Sequence, residues 1–389
     1  MGSLTNAMTN RRIGVSLRVK SQDLLMTELE YPYQEGPAEG ELREVANNVY
    51  WLRMPLPMSL NHINLYIIRD PDGWIVIDTG IRGQETRDIW LKIFERYLDN
   101  LPVKQIICTH MHPDHTGQAG FLHQHWQAPL LMSYSEYYQA RVMVSQMQGN
   151  DHWQMSEHYL RNGIEESFLN EMRDARSNFT PQPEDHPIPA SFVRLEDEQE
   201  LEMGGTTWRV VTGTGHSPEH VCLYSAGIRV LISGDQVLPI ITSNVSVHPT
   251  EPQANPMQGW LNSHEKLKKL LPSDLLVLPA HNLPFYGLHE RLDQLIEHHE
   301  ERMLIIEQAC QSPQKGADLL PLLFNRQLEG MTKLMALGEC VAHIHCLISR
   351  DRISQTFDGK HYIYRSTATD LSERLPAQAI EKESEPNLV

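Results

Sequence analysis

Thr109-His110-Met111-His112-Pro113-Asp114-His115-Thr116-Gly117 places three imidazoles and a carboxylate within six residues, directly after the apolar run Val103 to Cys108. That run is short, branched and bounded by Pro102, and it reads as a buried strand. A strand that empties into a loop delivers side chains to the sheet edge, where open α/β layers carry their chemistry. In extended geometry His110 and His112 alternate with Met111 and point to one side. Asp114 and His115 follow where the chain must turn. The stretch therefore offers two pairs of ligands to two neighbouring points.

A His-rich loop in a chain with 20 histidines is often only a solvated surface. The complete His-X-His-X-Asp-His pattern is far more specific, and it has company. Downstream come Gly213-Thr214-Gly215-His216, Ser233-Gly234-Asp235 and Pro279-Ala280-His281-Asn282. Each follows a β-like apolar run: Trp208 to Val211, Val230 to Ile232 and Leu275 to Leu278. That set, in that order, resembles the metallo-β-lactamase-fold hydrolase superfamily over roughly residues 43 to 310.

The resemblance implies a ligand set. His110, His112 and His216 would bind a first metal, and Asp114, His115 and His281 a second, with Asp235 bridging them. Asp78, in Asp78-Thr79-Gly80 after the run Trp74 to Ile77, would stand behind the ligands and orient a histidine, which needs its second nitrogen fixed. The alternative is that Asp78 caps the next helix. His220 lies four residues after His216, but Pro218 and the following strand argue against a helical pair. It reads as a structural or orienting residue rather than a ligand.

Imidazole and carboxylate suit borderline divalent cations: zinc foremost, with iron or manganese also compatible. Two such ions sharing a water bring its pKa towards neutrality, so a bridging hydroxide can attack an electrophilic carbon or phosphorus. Asp114 could also orient that nucleophile or pass a proton. No Gly-X-Ser-X-Gly motif suggests a serine mechanism instead.

Composition bounds the rest. A chain of 389 residues accommodates two or three domains and a sizeable core. No uninterrupted apolar run reaches about 18 residues, which argues against a membrane span. Five scattered cysteines without zinc-knuckle spacing read as buried thiols of a reducing compartment, and the expected location is cytoplasmic. The net charge of −17 repels polyphosphate backbones over a Debye length of about 8 Å and argues against general nucleic-acid affinity.

In chain order, residues 1–40 lack periodicity and read as an arm. Residues 41–310 form the expected α/β catalytic domain, a four-layer αββα sandwich inferred from two halves that each run strands, then helix. Its first half has strands from Val45 to Leu56, Ile63 to Ile68 and Trp74 to Ile77, then a helix from Gly83 to Leu98. After the histidine cluster come a helix from Gly117 to Trp126 and a strand from Ala128 to Met132. A helical insertion (about 135–190) carries Tyr137, Tyr138, Trp153, Tyr159 and Phe168. These either pack its helices onto the domain, or form a lid over the metal site or a surface for a second copy of the chain.

The second half reads as strands Phe192 to Leu195, Gln199 to Met203, Thr207 to Val211, Val221 to Tyr224 and Arg229 to Ile232. Helices from Trp260 to Leu271 and Pro284 to Cys310 follow, with His289, His298 and His299 on the solvent side of the second. Residues 311–365 read as two helices and a hairpin, a small winged-helix-like module. Its stretch Gly338 to Leu347 looks like the C-terminal appendage of a subgroup that includes mitochondrial endoribonucleases. His343 and His345 face different sides of a helix and make no metal pair. Residues 366–389 are polar and read as disordered.

The expected activity is hydrolysis of a small acyl thioester, acyl-glutathione or acyl-CoA, or a related ester. A single-strand endoribonuclease is the alternative that the C-terminal module suggests, and a lactonase is a third. The complete ligand set argues against a non-catalytic metal or effector sensor.

Overall fold

The computed structural model describes residues 29–58, 60–146, 153–177 and 188–368. The start of the expected arm, parts of the insertion and most of the expected tail lie outside the described residues. Seven strands build a first sheet in sequential order: β1 (Arg43–Ala46), β2 (Val49–Pro55), β3 (His62–Asp70), β4 (Gly73–Ile77), β5 (Val103–Ile107), β6 (Leu130–Ser133) and β7 (Val193–Leu195). The first four are antiparallel neighbours, and β4 through β7 pair in parallel. The second sheet runs β12 (Leu276–Pro279), β11 (Val230–Gly234), β10 (His220–Ser225), β9 (Thr206–Gly213) and β8 (Glu200–Met203).

Alternation along the strands decides the layers. In β4, Ile75 and Ile77 point into a core shared with Trp208, Val210, Val230 and Ile232 of the second sheet. Trp74 and Val76 point the other way, onto Ile89, Trp90 and Ile93 of α1 (Gln84–Tyr97). In β11, Val230 and Ile232 face the first sheet, and Leu231 faces Trp260 and Leu261 of α7 (Pro256–Leu270). Both sheets are covered on both faces, which is why their strands read as continuous apolar runs rather than alternating ones. The result is the expected αββα sandwich. A large aliphatic side chain buried this way contributes about 1.5–3 kcal/mol, so the strand ends that carry the loops are rigid.

Several local expectations are corrected. The run Val45 to Leu56 is two strands, because Asn48 turns the chain with φ 61° and its side chain donates to the Gly204 carbonyl at 3.0 Å. The strand at Val193 joins the first sheet beside β6, not the second half, because the insertion returns the chain to the edge that it left. The helix expected from Pro284 is α8 (Leu288–Ala309), since Phe285 first pairs with Val277 across two backbone hydrogen bonds. His299 on α8 is fully buried rather than solvent-facing, and its Nδ1 lies 3.0 Å from His343 Nε2. His298 and His289 are only half-exposed, hydrogen-bonded to Arg302 and to the Leu271 carbonyl.

The insertion divides its helices between two partners. α4 (Tyr134–Gln146), which follows α2 (Pro113–Thr116) and α3 (Ala119–Trp126), packs Tyr137 and Ala140 into the first-sheet core. From α5 (Trp153–Arg161) and α6 (Glu166–Ser177), the connecting Ile164 and the α6 residue Leu169 enter the core of the second sheet. There they meet α9 (Gly316–Leu323), α10 (Gly330–Ser349) and the hairpin of β13 (Ile353–Phe357) and β14 (Tyr362–Ser366). Tyr364 Oη donates to Asn162 Oδ1 at 2.9 Å, and the Ala317 N–H donates to the Asn162 carbonyl at 2.9 Å. Tyr137 thus packs as core, whereas Tyr138 and Trp153 stay exposed.

α10 is long and apolar enough to cross a membrane by length and composition, but 67% of its apolar window is buried inside the protein. Leu337, Cys340, Ile344 and Leu347 pack there against α7, α8 and α9. All five cysteines are buried and form no disulfide.

Gly117, the last residue of the opening motif, lies against the backbone of Arg82 and Ile81, where a Cβ would collide with Arg82 and stand 2.5 Å from the Pro113 carbonyl. Backbone cannot yield as a side chain does. Gly117→Ala is therefore expected to destabilise by about 1–3 kcal/mol, the usual cost of overpacking, read as a lowered midpoint in thermal unfolding. An unchanged midpoint would contradict this account of the motif's final glycine.

Candidate metal centre

The loops that follow β4, β5, β9, β11 and β12 open at one end of the sandwich, and they carry the seven expected ligands and Asp78, while His220 opens β10 beside them. His110 Nε2 lies 2.8 Å from His112 Nδ1 and 3.1 Å from His216 Nε2. Asp235 Oδ2 lies 3.4 Å from His216 Nε2. One ligand atom from each of these four residues falls within 4.8 Å of all the others. Asp114, His115 and His281 form a second such group, with Asp114 Oδ2 3.6 Å from both His115 Nε2 and His281 Nε2. Asp235 stands between the groups: its Oδ1 is 3.6 Å from His115 Nε2 and 3.4 Å from His281 Nε2.

These residues fit a pair of cations. His115 Nε2 and Asp235 Oδ1 are buried without a hydrogen-bond partner, a costly arrangement unless something positive lies between them. The imidazoles of the first group crowd nitrogen against nitrogen, which an electron-pair acceptor at their centre would relieve. The clusters are thus consistent with a dinuclear metal site.

The far side of each ring is fixed. His216 Nδ1 donates to the Asn244 carbonyl at 2.8 Å, and His281 Nδ1 donates to the His62 carbonyl at 3.0 Å. A carbonyl can only accept, so in both rings Nδ1 carries the proton and Nε2 presents its lone pair to the centre. His115 Nδ1 lies 2.8 Å from Asp78 Oδ2, and Asp78 also accepts from the Thr109 N–H at 2.8 Å and from its hydroxyl. Asp78 is buried with φ 61°, a left-handed conformation that an aspartate adopts at a cost of order 1–3 kcal/mol. It does not cap α1, whose N-terminal residue Gly83 has no side-chain bond. His220 stacks on His110 with ring centroids 4.8 Å apart, and its Nε2 accepts from the Asp235 N–H at 3.1 Å. It belongs to neither ligand group and orients Asp235.

Electrostatics follow burial. Desolvation first, then neighbouring imidazoles, holds His110 far below the usual histidine range; burial, then chiefly His216, does so for His112 and His220, against an opposing pull from Asp235. Burial pulls His115 down too, but the carboxylates of Asp78, Asp114 and Asp235 outweigh it and leave its pKa well above the usual range. For Asp235, burial pushes up, and His281 and His115 together pull it well below the usual carboxylate range. The carboxylates thus favour positive charge at this point, which a bound cation supplies as well as a proton does.

Sequence reasoning missed Glu136. It lies in the first turn of α4, inside the insertion, and no spacing marks it. Its carboxylate accepts from the Met111 N–H at 2.9 Å, the Glu219 N–H at 2.7 Å and the Ser217 hydroxyl at 2.6 Å. One side chain therefore ties the His110–His112 loop to the loop after His216. Asn244 and His62 were missed as well, because each acts through its backbone carbonyl, which no residue type advertises.

Fold and site together define an α/β sandwich with a histidine and aspartate cluster fit for metal at one end, and comparison with known proteins gives its family. The metallo-beta-lactamase superfamily profile matches residues 59–281, and the profile of a metallo-beta-lactamase-like C-terminal domain matches residues 304–367. This chain belongs to the metallo-beta-lactamase superfamily. A beta-lactamase domain protein from Burkholderia ambifaria superposes with a TM-score of 0.81 at 38% identity, covering 88% of this chain and all (100%) of that one. A metallo-beta-lactamase family protein from Thermus thermophilus shares the fold at TM-score 0.68 and 24% identity over 83% of this chain and 100% of its own. The probable metallo-hydrolase YflN of Bacillus subtilis is 26% identical over 61% of this chain and 86% of its own length. The lactamase-like protein nscB of Aspergillus fumigatus is 26% identical over 64% of this chain but only 56% of its own length.

Burial raises the Glu136 carboxyl to about 7, against the pull of its three donors. A group neutral when folded and ionised when unfolded loses stabilising power as pH climbs between its unfolded and folded values. In metal-free protein, unfolding midpoints of wild type should therefore fall relative to Glu136→Gln between about pH 4.5 and 7. Parallel pH profiles for the two proteins would contradict this. Glu136→Ala strands three donors at about 1–3 kcal/mol each and should destabilise at every pH.

Proposed function

We propose that this protein is a dinuclear metal-dependent hydrolase of small acyl thioesters, such as acyl-glutathione or acyl-CoA. The observation that carries the hydrolase reading is the carboxylate of Asp235, which faces both imidazole groups through separate oxygens. His110, His112 and His216 would hold one ion, Asp114, His115 and His281 the other, with Asp235 between them. Zinc suits this donor set best, and iron or manganese also fits. Two divalent cations, when bound, lower the pKa of a shared water and polarise a substrate oxygen.

The protein's own groups supply the rest. Asp114 is, with His112, one of two partly exposed members of an otherwise buried set, and it is the only carboxylate of the two, placed to orient water or hold a proton. Asp78, His220 and the carbonyls of His62 and Asn244 keep each ligand aimed while charge develops nearby. A thiolate departs without an acid to protonate it, so Asp114 need only orient the water and take up the proton that the water loses as it attacks. Met58, on the β2–β3 loop, and Ile240, on the loop after Asp235, are exposed and apolar. They suit contact with an acyl chain. The net charge of −17 weighs against a polynucleotide substrate.

The test is thiol release from a panel of acyl-CoA and acyl-glutathione thioesters by metal-loaded protein. Turnover is expected, and Asp114→Ala should lose at least about 100-fold of it while unfolding at a similar temperature, as loss of a positioned proton-transfer group implies. Full activity in Asp114→Ala would sink the mechanism. Silence of wild type across the panel would sink the thioester reading and leave single-stranded RNA and lactones as the next substrates. His281→Ala should retain one metal per chain where wild type holds two, measured by mass spectrometry of metal content; two retained ions would contradict the assignment of His281.

A further inference from the structure

Two residues of the helices outside the ligand-bearing loops hold the segment 235–247, which begins with a ligand and ends against the C-terminal helix. Asp235 opens it. The Ser243 hydroxyl donates to the Asp235 carbonyl, and the next residue, Asn244, supplies the carbonyl that fixes His216. The side chain of Asn244 points away, and its Nδ2 donates to Glu339 Oε2 of α10 at 3.2 Å. Ser246 Oγ donates to Asn244 Oδ1 at 2.6 Å, and the Val247 N–H donates to the Gly338 carbonyl at 3.0 Å. Gly338 is required for this approach, because a Cβ there would stand 2.9 Å from Ser246 Cβ and 3.2 Å from the Val247 carbonyl. From α8, the buried Arg291 donates to the Leu238 carbonyl at 2.6 Å and to the Ile241 carbonyl at 3.0 Å.

The centre of the segment is thus clamped by a guanidinium and its end by a carboxylate. Arg302, also on α8, has its Nη1 3.9 Å from Glu339 and keeps that carboxylate in place. The segment takes its shape from the helices outside it. We propose that Glu339 is a positioning residue for the first metal, acting through Asn244 on the ring of His216, with Arg291 holding the same segment from α8. The chain of contacts is Glu339 carboxylate, Asn244 amide, Asn244 carbonyl, His216 Nδ1 and then His216 Nε2 at the centre. The C-terminal helix thereby becomes part of the metal site rather than an appendage beside it. This inference rests on the metal-site reading above.

The side that Glu339 serves dictates the test. His216 receives the strain of a loosened Asn244, whereas Asp114, His115 and His281 meet the segment only through the Asp235 side chain, whose backbone His220 and Ser243 hold. Metal affinity is measured by competition with a chromophoric chelator, using zinc alone, in two backgrounds. In His281→Ala, which retains the first site, adding Glu339→Ala should weaken zinc binding about 10–100-fold, the usual consequence of removing a group that orients a ligand. Glu339→Gln, whose amide oxygen can still accept from Asn244, should restore most of it. In His216→Ala, which retains the second site, Glu339→Ala should change affinity less than about 3-fold. Arg291→Met should act in the same direction as Glu339→Ala in the first background.

Equal loss in both backgrounds would make Glu339 a general stability residue and overturn the proposal, as would unchanged affinity in the first. Should Glu339→Ala fail to fold, Asn244→Asp takes its part, since it sets carboxylate against carboxylate and leaves the backbone carbonyl of residue 244 in place. Unchanged zinc affinity of that variant in the first background would overturn the proposal too. Wild type that binds no zinc would instead overturn the metal-site reading itself.

Discussion

The carboxylate of Asp235 is buried with one oxygen towards His110 and His216 and the other towards His115 and His281. In a folded protein an ionised carboxylate so placed costs far more than it returns unless positive charge meets it. Everything near it manages that cost. His220 takes its backbone N–H, Ser243 takes its carbonyl, and His216, His115 and His281 supply the facing nitrogens. A centre of this kind can be held only by a frame that does not relax, and the two sheets provide it, with their ends packed on both faces.

The frame is joined across the sandwich as well as within each sheet. The Val221 N–H donates to the Thr109 carbonyl at 2.8 Å, the Asn64 N–H to the Ala280 carbonyl at 2.6 Å, and the Ala280 N–H to the Gly234 carbonyl at 3.0 Å. Each of these backbone bonds lies within a residue or two of a ligand. Side-chain ties repeat the pattern at longer range: Asp78 from the end of β4, Glu136 from the insertion, and Glu339 with Arg291 from the C-terminal helices. The insertion and the C-terminal helices, which look dispensable to a minimal sandwich, both hold ligand loops: Glu136 ties two of them together, and Glu339 holds the segment after Asp235. Rigidity at the centre is therefore a property of the whole described chain.

Residue type and spacing made much of this legible. Four ligands in six residues, each later ligand after an apolar run, and a glycine at the end of the motif name a scaffold and a set of side chains. Burial on both faces explains why the strands could be read as apolar runs and why their ends were found to within a few residues. What misled was context. His299 sits on a helix with an acidic face, and it is the packing of Trp260 on α7 and His343 on α10 against α8 that buries it. Val193 follows a long excursion, and nothing local says which sheet receives it.

The sequence by itself determined the chemistry on offer: which imidazoles and carboxylates, in which order, on strands of which pattern. It could do so because ligand identity is a property of side chains, and strand and turn signals are local. Only the tertiary structure decided how those groups are aimed, because aiming is done by backbone carbonyls at His62 and Asn244 and by acids far along the chain from the loops they hold. A carbonyl is carried by every residue alike, so its role exists only where the fold brings it beside a ring.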